Sequence, residues 1–246
     1  MLHKALDILE TIRSSRSGMS LTDLARAAGI PKPTVYRILA TMESRGYLAR
    51  NEASRYRITR KFFELQSEES EEQLLLREAQ PVMERLAGSC RETLNLGILD
   101  AGEVVVVSTI ESPQAIRMSS KIGNRRQLHS TALGKVLLSG LPDKELQRLI
   151  RLKGLPRLTP YTLVTKQALL AEVAQVRKEG FARDNEENEP GGCCIGAPIL
   201  GPGGRVIAAL SISAPVFRMN AERVQSLVGD LTAACQTITR AIASGA

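Results

Sequence analysis

The fold of the N-terminal part is decided by residues 20–48, which read SLTDLARAAGIPKPTVYRILATMESRGYL. Ser20 is a good helix N-cap, and the apolar residues after it recur at three- and four-residue spacing until Gly29. Glycine ends helices because it can adopt the left-handed conformation of a C-terminal turn. Pro33 suits the first turn of a second helix, which extends to about Gly46. Two helices joined by a short turn that contains glycine predict a helix-turn-helix.

Both flanks of this stretch fit the same structural unit. Residues 2–12 carry apolar side chains at helical spacing and predict a preceding helix. Residues 47–50 and 55–58 are two short runs around a polar turn at residues 51–54, and they predict a β-hairpin. The hairpin would stand beside the second helix as a wing.

The positive charge of the 246-residue chain is concentrated in this part. Residues 1–60 hold 11 Lys/Arg and 5 Asp/Glu, a net charge of +6, whereas the other 186 hold 22 and 21, a net charge of +1. Lys and Arg placed against phosphates release counterions, so a compact basic unit favours DNA as the partner. In this motif the N-terminal end of the second helix enters the major groove. The residues predicted to contact DNA are Arg26, Lys32, Thr34, Tyr36, Arg37, Thr41, Arg50, Arg55 and Arg57.

A generic helical hairpin with a solvated basic surface is the alternative. It explains the apolar stripes, but it does not explain a basic helix tip that is followed by a basic hairpin. DNA binding is therefore favoured. Tyr36 and Tyr47 fit either a core position or a DNA contact.

The rest of the chain has a different composition. Residues 61–78 are acidic and predict a linker helix, and Pro81 predicts a new helix start or a kink. Strands are predicted at 93–99, 104–110, 181–186, 195–200 and 206–213, and helices at 131–138, 165–180 and about 221–243. Consecutive hairpins imply an α+β domain with a largely antiparallel sheet. The predicted organisation is a DNA-binding domain over 1–60, a linker helix over 61–78 and a second domain over 79–246.

Composition excludes several other classes of protein. The four cysteines show no CxxC spacing and there are only two histidines, so neither a disulfide framework nor a metal site is expected. No apolar run approaches 18 residues, and the first residues lack a signal-peptide core. We therefore expect a cytoplasmic protein without a cofactor or a membrane partner.

Three segments together resemble the IclR family of bacterial transcriptional regulators. They are residues 20–48, HSTALGKVLL at 129–138, and DNEENEPGGCCIGAPILGPGGRVIAALSIS at 184–213. The resemblance covers essentially the whole chain and implies a winged helix plus a GAF-like effector-binding domain. It also implies homodimers, or pairs of dimers, on palindromic operators. Residues 116–138 and the DNEE segment are similar to the KdgR subgroup, whose members govern pectin and hexuronate breakdown and respond to 2-keto-3-deoxygluconate.

The resemblance also implies an effector pocket. Free N–H groups at the start of the helix that Ser130 begins can hold a carboxylate, and Ser211 and Ser213 face the same side of a strand. Leu133 departs from the small residue that many family members carry, which predicts a smaller or reshaped pocket. The residues implied to contact the effector are Ala115, Met118, Ala132, Leu133, Asp184, Cys194, Ser211 and Ser213.

Plainer alternatives exist for these residues. Cys194 can be a buried apolar residue, and Asp184 can be a solvated turn charge. A cysteine enzyme using His129, Cys194 and Asp184 is a second alternative, and nothing in the sequence aligns those three groups. An architectural DNA-binding protein without an effector is a third. The sequence favours a ligand-responsive repressor of sugar-acid catabolic genes, with another small carboxylic or aromatic acid as the alternative effector.

Overall fold

The computed structural model describes residues 2–13, 15, 18–51, 54–59, 61–62 and 70–244. The chain divides into two compact units, Met1–Ser70 and Glu71–Ala246, each with its own hydrophobic core. Glu52 and Ala53 of the predicted turn and residues 63–69 of the predicted linker helix lie outside the described residues. Within the described ranges, no helix is both long and apolar enough to cross a membrane.

Over the described residues up to 59, the first unit contains three helices and a small antiparallel sheet. The helices are α1 (Leu2–Arg13), α2 (Leu21–Ala27) and α3 (Lys32–Ser44). The strands are β1 (Met19–Ser20), β2 (Leu48–Arg50) and β3 (Arg55–Ile58), in the order β1-β3-β2. The predicted helix-turn-helix and hairpin are confirmed. Strand β1 is not predicted, because two residues are too few to show an alternating pattern.

Local contacts explain how α2 and α3 are set. The Ser20 hydroxyl accepts a hydrogen bond from the Asp23 N–H at 3.2 Å and donates one to the Asp23 carboxylate at 2.7 Å. Ser20 is therefore the N-cap that the sequence predicts, and its hydrogen bond to the Asp23 carboxylate keeps the pKa of that group low. Gly29, at φ +64°, follows α2 and turns the chain toward α3. Leu24 and Leu39 are completely buried and join the two helices in one core.

The second unit is a six-stranded antiparallel sheet with helices on both faces. Its strands are β4 (Thr93–Asp100), β5 (Glu103–Ile110), β6 (Arg125–Arg126), β7 (Ala182–Asn185), β8 (Gly192–Leu200) and β9 (Val206–Pro215), in the order β6-β5-β4-β9-β8-β7. Its helices are α4 (Glu71–Cys90), α5 (Ala132–Ser139), α6 (Asp143–Lys153), α7 (Lys166–Glu179) and α8 (Ala221–Ser244). The predicted α+β class is confirmed. Thr165 caps α7 and Gly180 ends it in a left-handed conformation, which agrees with the helix predicted over 165–180.

The two faces of the sheet bury different side chains. Leu210 and Ile212 of β9 belong to the core that α4 and α8 cover. Ala209 belongs to the core formed with α5, α6 and α7, so the alternation of the strand turns Ser211 and Ser213 toward the same side as Ala209. One end of the α5 side of the sheet is therefore polar.

In the second unit two local predictions are wrong, and one α-helix and one strand are not predicted. The N-cap of α5 is Thr131, not Ser130, because the Thr131 hydroxyl accepts the Gly134 N–H at 3.1 Å. One helix runs through Pro81, so the predicted helix start there is wrong, and the kink stays a prediction; packing of the 20-residue α4 against α8 offsets the backbone hydrogen bond that Pro81 cannot make. The sequence analysis does not identify α6 or the two-residue strand β6.

Candidate effector-binding and DNA-binding sites

The N-terminal end of helix α3 exposes basic and aromatic side chains. Lys32, Tyr36 and Arg37 are exposed, and the Tyr36 side chain keeps 58 % of its accessible surface. None of these three side chains makes a hydrogen bond or an ion pair with a residue that the structure describes. Val35 and Leu39 of the same helix are completely buried and fix its orientation in the unit. The exposed end is thus held rigidly while its polar groups are free for a partner.

The arginines of the hairpin differ in how free they are. The Arg55 guanidinium donates to the Gly18 carbonyl at 3.0 Å, and the Arg50 guanidinium lies 5.7 Å from the centre of the buried Tyr56 ring. Arg57 is exposed. Gly18 packs against Arg57 and has φ +75°. A Cβ at this position would stand 2.7 Å from the Arg57 Cγ, so only glycine fits there. Of the three arginines, Arg57 therefore has the guanidinium most available for a phosphate.

The remaining residues predicted to contact DNA differ in their exposure and in their contacts within the unit. Arg26 is exposed on α2, whereas Thr34 is half-buried. The Thr41 hydroxyl donates to the Arg37 carbonyl one turn earlier at 2.8 Å. Tyr47 is half-buried and meets Phe62 edge-on at 6.4 Å, so it packs within the unit.

The second unit has a polar cavity on the α5 side of its sheet. Seven of the eight side chains predicted to contact an effector line it, and Ala115 is exposed in the bend over residues 113–116 and is not among them. The cavity is lined by Asn95, Val106, Met118, Ser119, Ser120, Arg126, Thr131, Ala132, Leu133, Asp184, Asn188, Glu189, Gly192, Cys194, Ser211 and Ser213.

The N-terminus of α5 opens into this cavity. The Thr131 hydroxyl takes the Gly134 N–H, so the N–H groups of Ala132 and Leu133 have no acceptor in the described part of the chain. The helix dipole adds a partial positive charge at the same place. These two N–H groups can hold a carboxylate.

The floor of the cavity is a hydrogen-bonded polar row. The Asn95 amide donates to the Ser213 hydroxyl at 3.2 Å and accepts from the Thr109 hydroxyl at 3.0 Å. The Ser211 hydroxyl lies 3.5 Å from the Asn95 carbonyl, to which it donates. Asn95 is not predicted from the sequence. Its signal is an amide between two leucines of a strand, paired directly with Ser211.

Asp184 is a buried carboxyl group at the edge of the row, only 4 % exposed. Its Oδ1 accepts the N–H groups of Glu187 at 2.8 Å and of Asn188 at 3.3 Å. Burial outweighs these bonds and raises the pKa of Asp184 to about 7. Near neutral pH the group can therefore donate to or accept from a ligand hydroxyl.

A buried lysine, Lys135, contacts Arg183 and Glu187, which lie on either side of Asp184 in the chain. The Lys135 ammonium donates to Glu187 and to the Arg183 carbonyl at 2.6 Å each, and to Glu172 at 3.1 Å. Burial raises the pKa of Glu187, and the Lys135 charge opposes that shift. This network ties α5 to α7 and to the segment that holds Asp184. The network is not predicted from the sequence, although Lys135 interrupts the apolar residues of α5.

Cys194 and His129 lie in separate surroundings. Cys194 lines the cavity while Cys193 is buried in the opposite core, as the alternation predicts. Burial raises the pKa of the Cys194 thiol, which keeps it protonated. His129 Nε2 lies 3.0 Å from the Pro156 carbonyl and the residue lines a different cavity. The groups of a cysteine enzyme are not assembled.

Two apolar side chains that line the cavity, Leu133 and Met118, pack closely against glycines. Leu133 Cδ1 is 3.1 Å from where a Cβ of Gly97 would stand, and Met118 Cε is 2.9 Å from that position at Gly192. The Thr93 hydroxyl donates to the Met118 carbonyl at 2.6 Å and fixes the segment. Leu133 thus occupies space that a glycine on β4 leaves open.

A helix-turn-helix with a free basic tip, joined to a sheet domain with a polar cavity, defines a ligand-responsive DNA-binding transcriptional regulator. The family model for the IclR helix-turn-helix domain matches residues 1–52. The model for the C-terminal domain of bacterial IclR transcriptional regulators matches residues 70–240. The chain belongs to the IclR family.

Individual relatives agree. The chain is 38 % identical over 237 residues to the transcriptional regulator KdgR of Escherichia coli K12, covering 96 % of this chain and 90 % of that protein. The crystal structure of IclR from Thermotoga maritima is 29 % identical, with a TM-score of 0.66 and 98 % of both chains covered. An IclR homologue from Microbacterium hydrocarbonoxydans, complexed with 4-hydroxybenzoate, is 28 % identical, with a TM-score of 0.65 and 99 % of both chains covered.

Proposed function

We propose that this regulator represses sugar-acid catabolic genes and that its cavity binds a small hydroxylated carboxylate such as 2-keto-3-deoxygluconate. The observation that carries the proposal is the pair of unpartnered N–H groups at Ala132 and Leu133, which opens into a cavity rich in hydroxyl and amide groups. The similarity to KdgR supports the same class of ligand.

The chemistry of the lining fits such a molecule group by group. The ligand carboxylate meets the N–H groups of α5, and its hydroxyl groups meet Asp184, Asn188 and the floor serine Ser213. Met118 covers the carbon chain. An aromatic acid is the second candidate, because a relative binds 4-hydroxybenzoate. The many hydroxyl and amide groups of the lining favour the sugar acid, because its hydroxyl groups can hydrogen-bond to them and a bare aromatic ring cannot.

On the DNA side, we propose that the chain acts as a homodimer, or a pair of dimers, on a palindromic operator. The half-sites of such an operator have a fixed spacing, which two winged helices of a dimer must match. Effector binding that disfavours this match lowers operator affinity. A coupling of about 1–3 kcal/mol changes the affinity about 5- to 150-fold.

Two substitutions test the division of labour. Arg37→Ala should weaken operator binding and leave effector affinity intact, whereas Ser213→Ala should weaken effector affinity about 10-fold and leave operator binding of the free protein intact. Arg45→Ala is the matched control for Arg37, since Arg45 is exposed at the other end of α3. Anisotropy with operator DNA and calorimetry with 2-keto-3-deoxygluconate give the two affinities. Equal damage to both affinities by either variant would contradict the proposal.

A further inference from the structure

One charged side chain in the cavity has no role in the function described above. Arg126 is half-buried and is the one arginine or lysine among the lining residues. Its guanidinium makes no hydrogen bond and no ion pair with any residue that the structure describes. A half-buried arginine loses part of its hydration. Without a hydrogen-bonding partner, nothing offsets this loss until a ligand binds to the guanidinium.

The strand geometry explains why this side chain points to the cavity and its neighbour does not. Strand β6 consists of Arg125 and Arg126, and successive residues of a strand face opposite sides. Arg125 is exposed and ion-paired with Asp100 and with Glu103, the latter at 3.2 Å. Arg126 pairs in register with Val104 of β5 and lines the cavity. The two arginines are adjacent, but only Arg126 is unpaired.

The charges around the cavity show what Arg126 offsets. The lining also carries the carboxyl groups of Asp184 and Glu189, and each of them repels an entering anion whenever it is ionised. The N-terminus of α5 contributes only about half an elementary charge. Lys135 is nearby but is paired with two glutamates. The Arg126 guanidinium adds a full positive charge to the two N–H groups of α5, and its planar fork matches carboxylate geometry.

We propose that Arg126 binds the anionic group of the effector and makes the site prefer acids to their uncharged counterparts. This inference rests on the proposed function, which places the effector in this cavity. It adds the residue that sets the charge of the accepted ligand.

The test compares acids with their methyl esters on the full chain. Calorimetry measures the affinity for 2-keto-3-deoxygluconate, 4-hydroxybenzoate and the methyl ester of each, in the wild type and in Arg126→Gln, Arg126→Lys and Arg125→Gln. The wild type should prefer the acid of the pair that it binds. Arg126→Gln should lose about 10- to 100-fold in affinity for that acid and change little for the ester. Arg125→Gln, the matched control, should behave as the wild type.

Each other outcome is decisive. An unchanged acid affinity in Arg126→Gln overturns the inference and leaves the effector site standing. If the wild type binds neither acid, the proposed carboxylate effector fails, and this inference fails with it. Arg126→Lys keeps the charge without the fork, so it should retain more of the acid preference than Arg126→Gln. An equal loss of affinity for the acid and for its ester in Arg126→Gln would contradict a role for the Arg126 charge, because poor folding weakens both ligands alike.

Discussion

Asp184→Asn should stabilise the effector-free protein, and only above pH 4. The wild-type carboxyl group is 4 % exposed, and its burial raises its pKa from the usual 3.8 to about 7. Asparagine has the same shape, and its side-chain oxygen can still accept the N–H groups of Glu187 and Asn188. The substitution therefore removes the buried charge and keeps the hydrogen bonds.

The sign and size follow from linkage between protonation and folding. Below pH 4 the carboxyl group is protonated in both the folded and the unfolded chain, so it contributes no difference in stability. Between pH 4 and pH 7 the unfolded chain loses this proton first, and the wild type loses stability as pH rises. A shift of about 3 pKa units corresponds to about 4 kcal/mol, which is the upper bound on the gain in Asp184→Asn at pH 8.

The assay is a series of thermal melts and urea titrations of the wild type and the variant at pH 4, 5, 6, 7 and 8. For a unit of this size, 4 kcal/mol corresponds to a rise of about 10 °C in the melting temperature. Asp230→Asn, an exposed position on α8, is the control and should track the wild type. A gain that is constant from pH 4 to pH 8, or a loss at pH 8, would refute the reasoning.

Three further predictions concern other parts of the molecule. Lys135→Met should destabilise the second unit by about 3 kcal/mol, seen in urea titrations, because it leaves Glu187 buried without its cation; unchanged stability would show that the network is unimportant. Gly97→Ala should cost about 1–3 kcal/mol in the same titrations, because the added Cβ would lie 2.9 Å from Val104 Cγ1 and 3.1 Å from Leu133 Cδ1; a neutral result would mean that these two side chains shift without cost. Arg57→Ala should lower the slope of log operator affinity against log salt by about 1, and an unaltered slope would remove Arg57 from the phosphate contacts.

Local signals in the sequence predict much of the first unit. The Ser20 cap and the Gly29 turn set α2, and two short runs around a polar turn predict the hairpin. These features depend on neighbours within a few residues, so the sequence shows them directly. Strand β1 escapes prediction because its pairing partner, Tyr56, lies far along the chain.

The candidate cavity could be predicted only in part. Ser211, Ser213 and Asp184 come from motifs of the family, and the structure brings them together with Ala132 and Leu133. The resemblance gives no hint that Ala115 stays outside the lining. The contributions of other residues depend on pairing across the sheet, which no local pattern encodes.

Long-range pairing explains the residues that the sequence analysis misses. Asn95 enters the site because β4 pairs with β9, and Arg126 enters because β6 pairs with β5. Lys135 is buried because Glu187, 52 residues away, returns to meet it. A lysine is ordinarily exposed, so its burial cannot be expected without the partner.

The central claim, that this chain is a DNA-binding regulator under effector control, is tested most directly by fluorescence anisotropy at fixed salt. The labelled duplex is the DNA upstream of the chain's own gene, or a duplex that the protein selects from random sequence. It is titrated with protein in the absence and presence of 2-keto-3-deoxygluconate. We predict tight, sequence-preferring binding whose affinity the compound changes about 5- to 150-fold. Binding no stronger than to a scrambled duplex, or an affinity that neither this acid nor 4-hydroxybenzoate alters, would contradict the account.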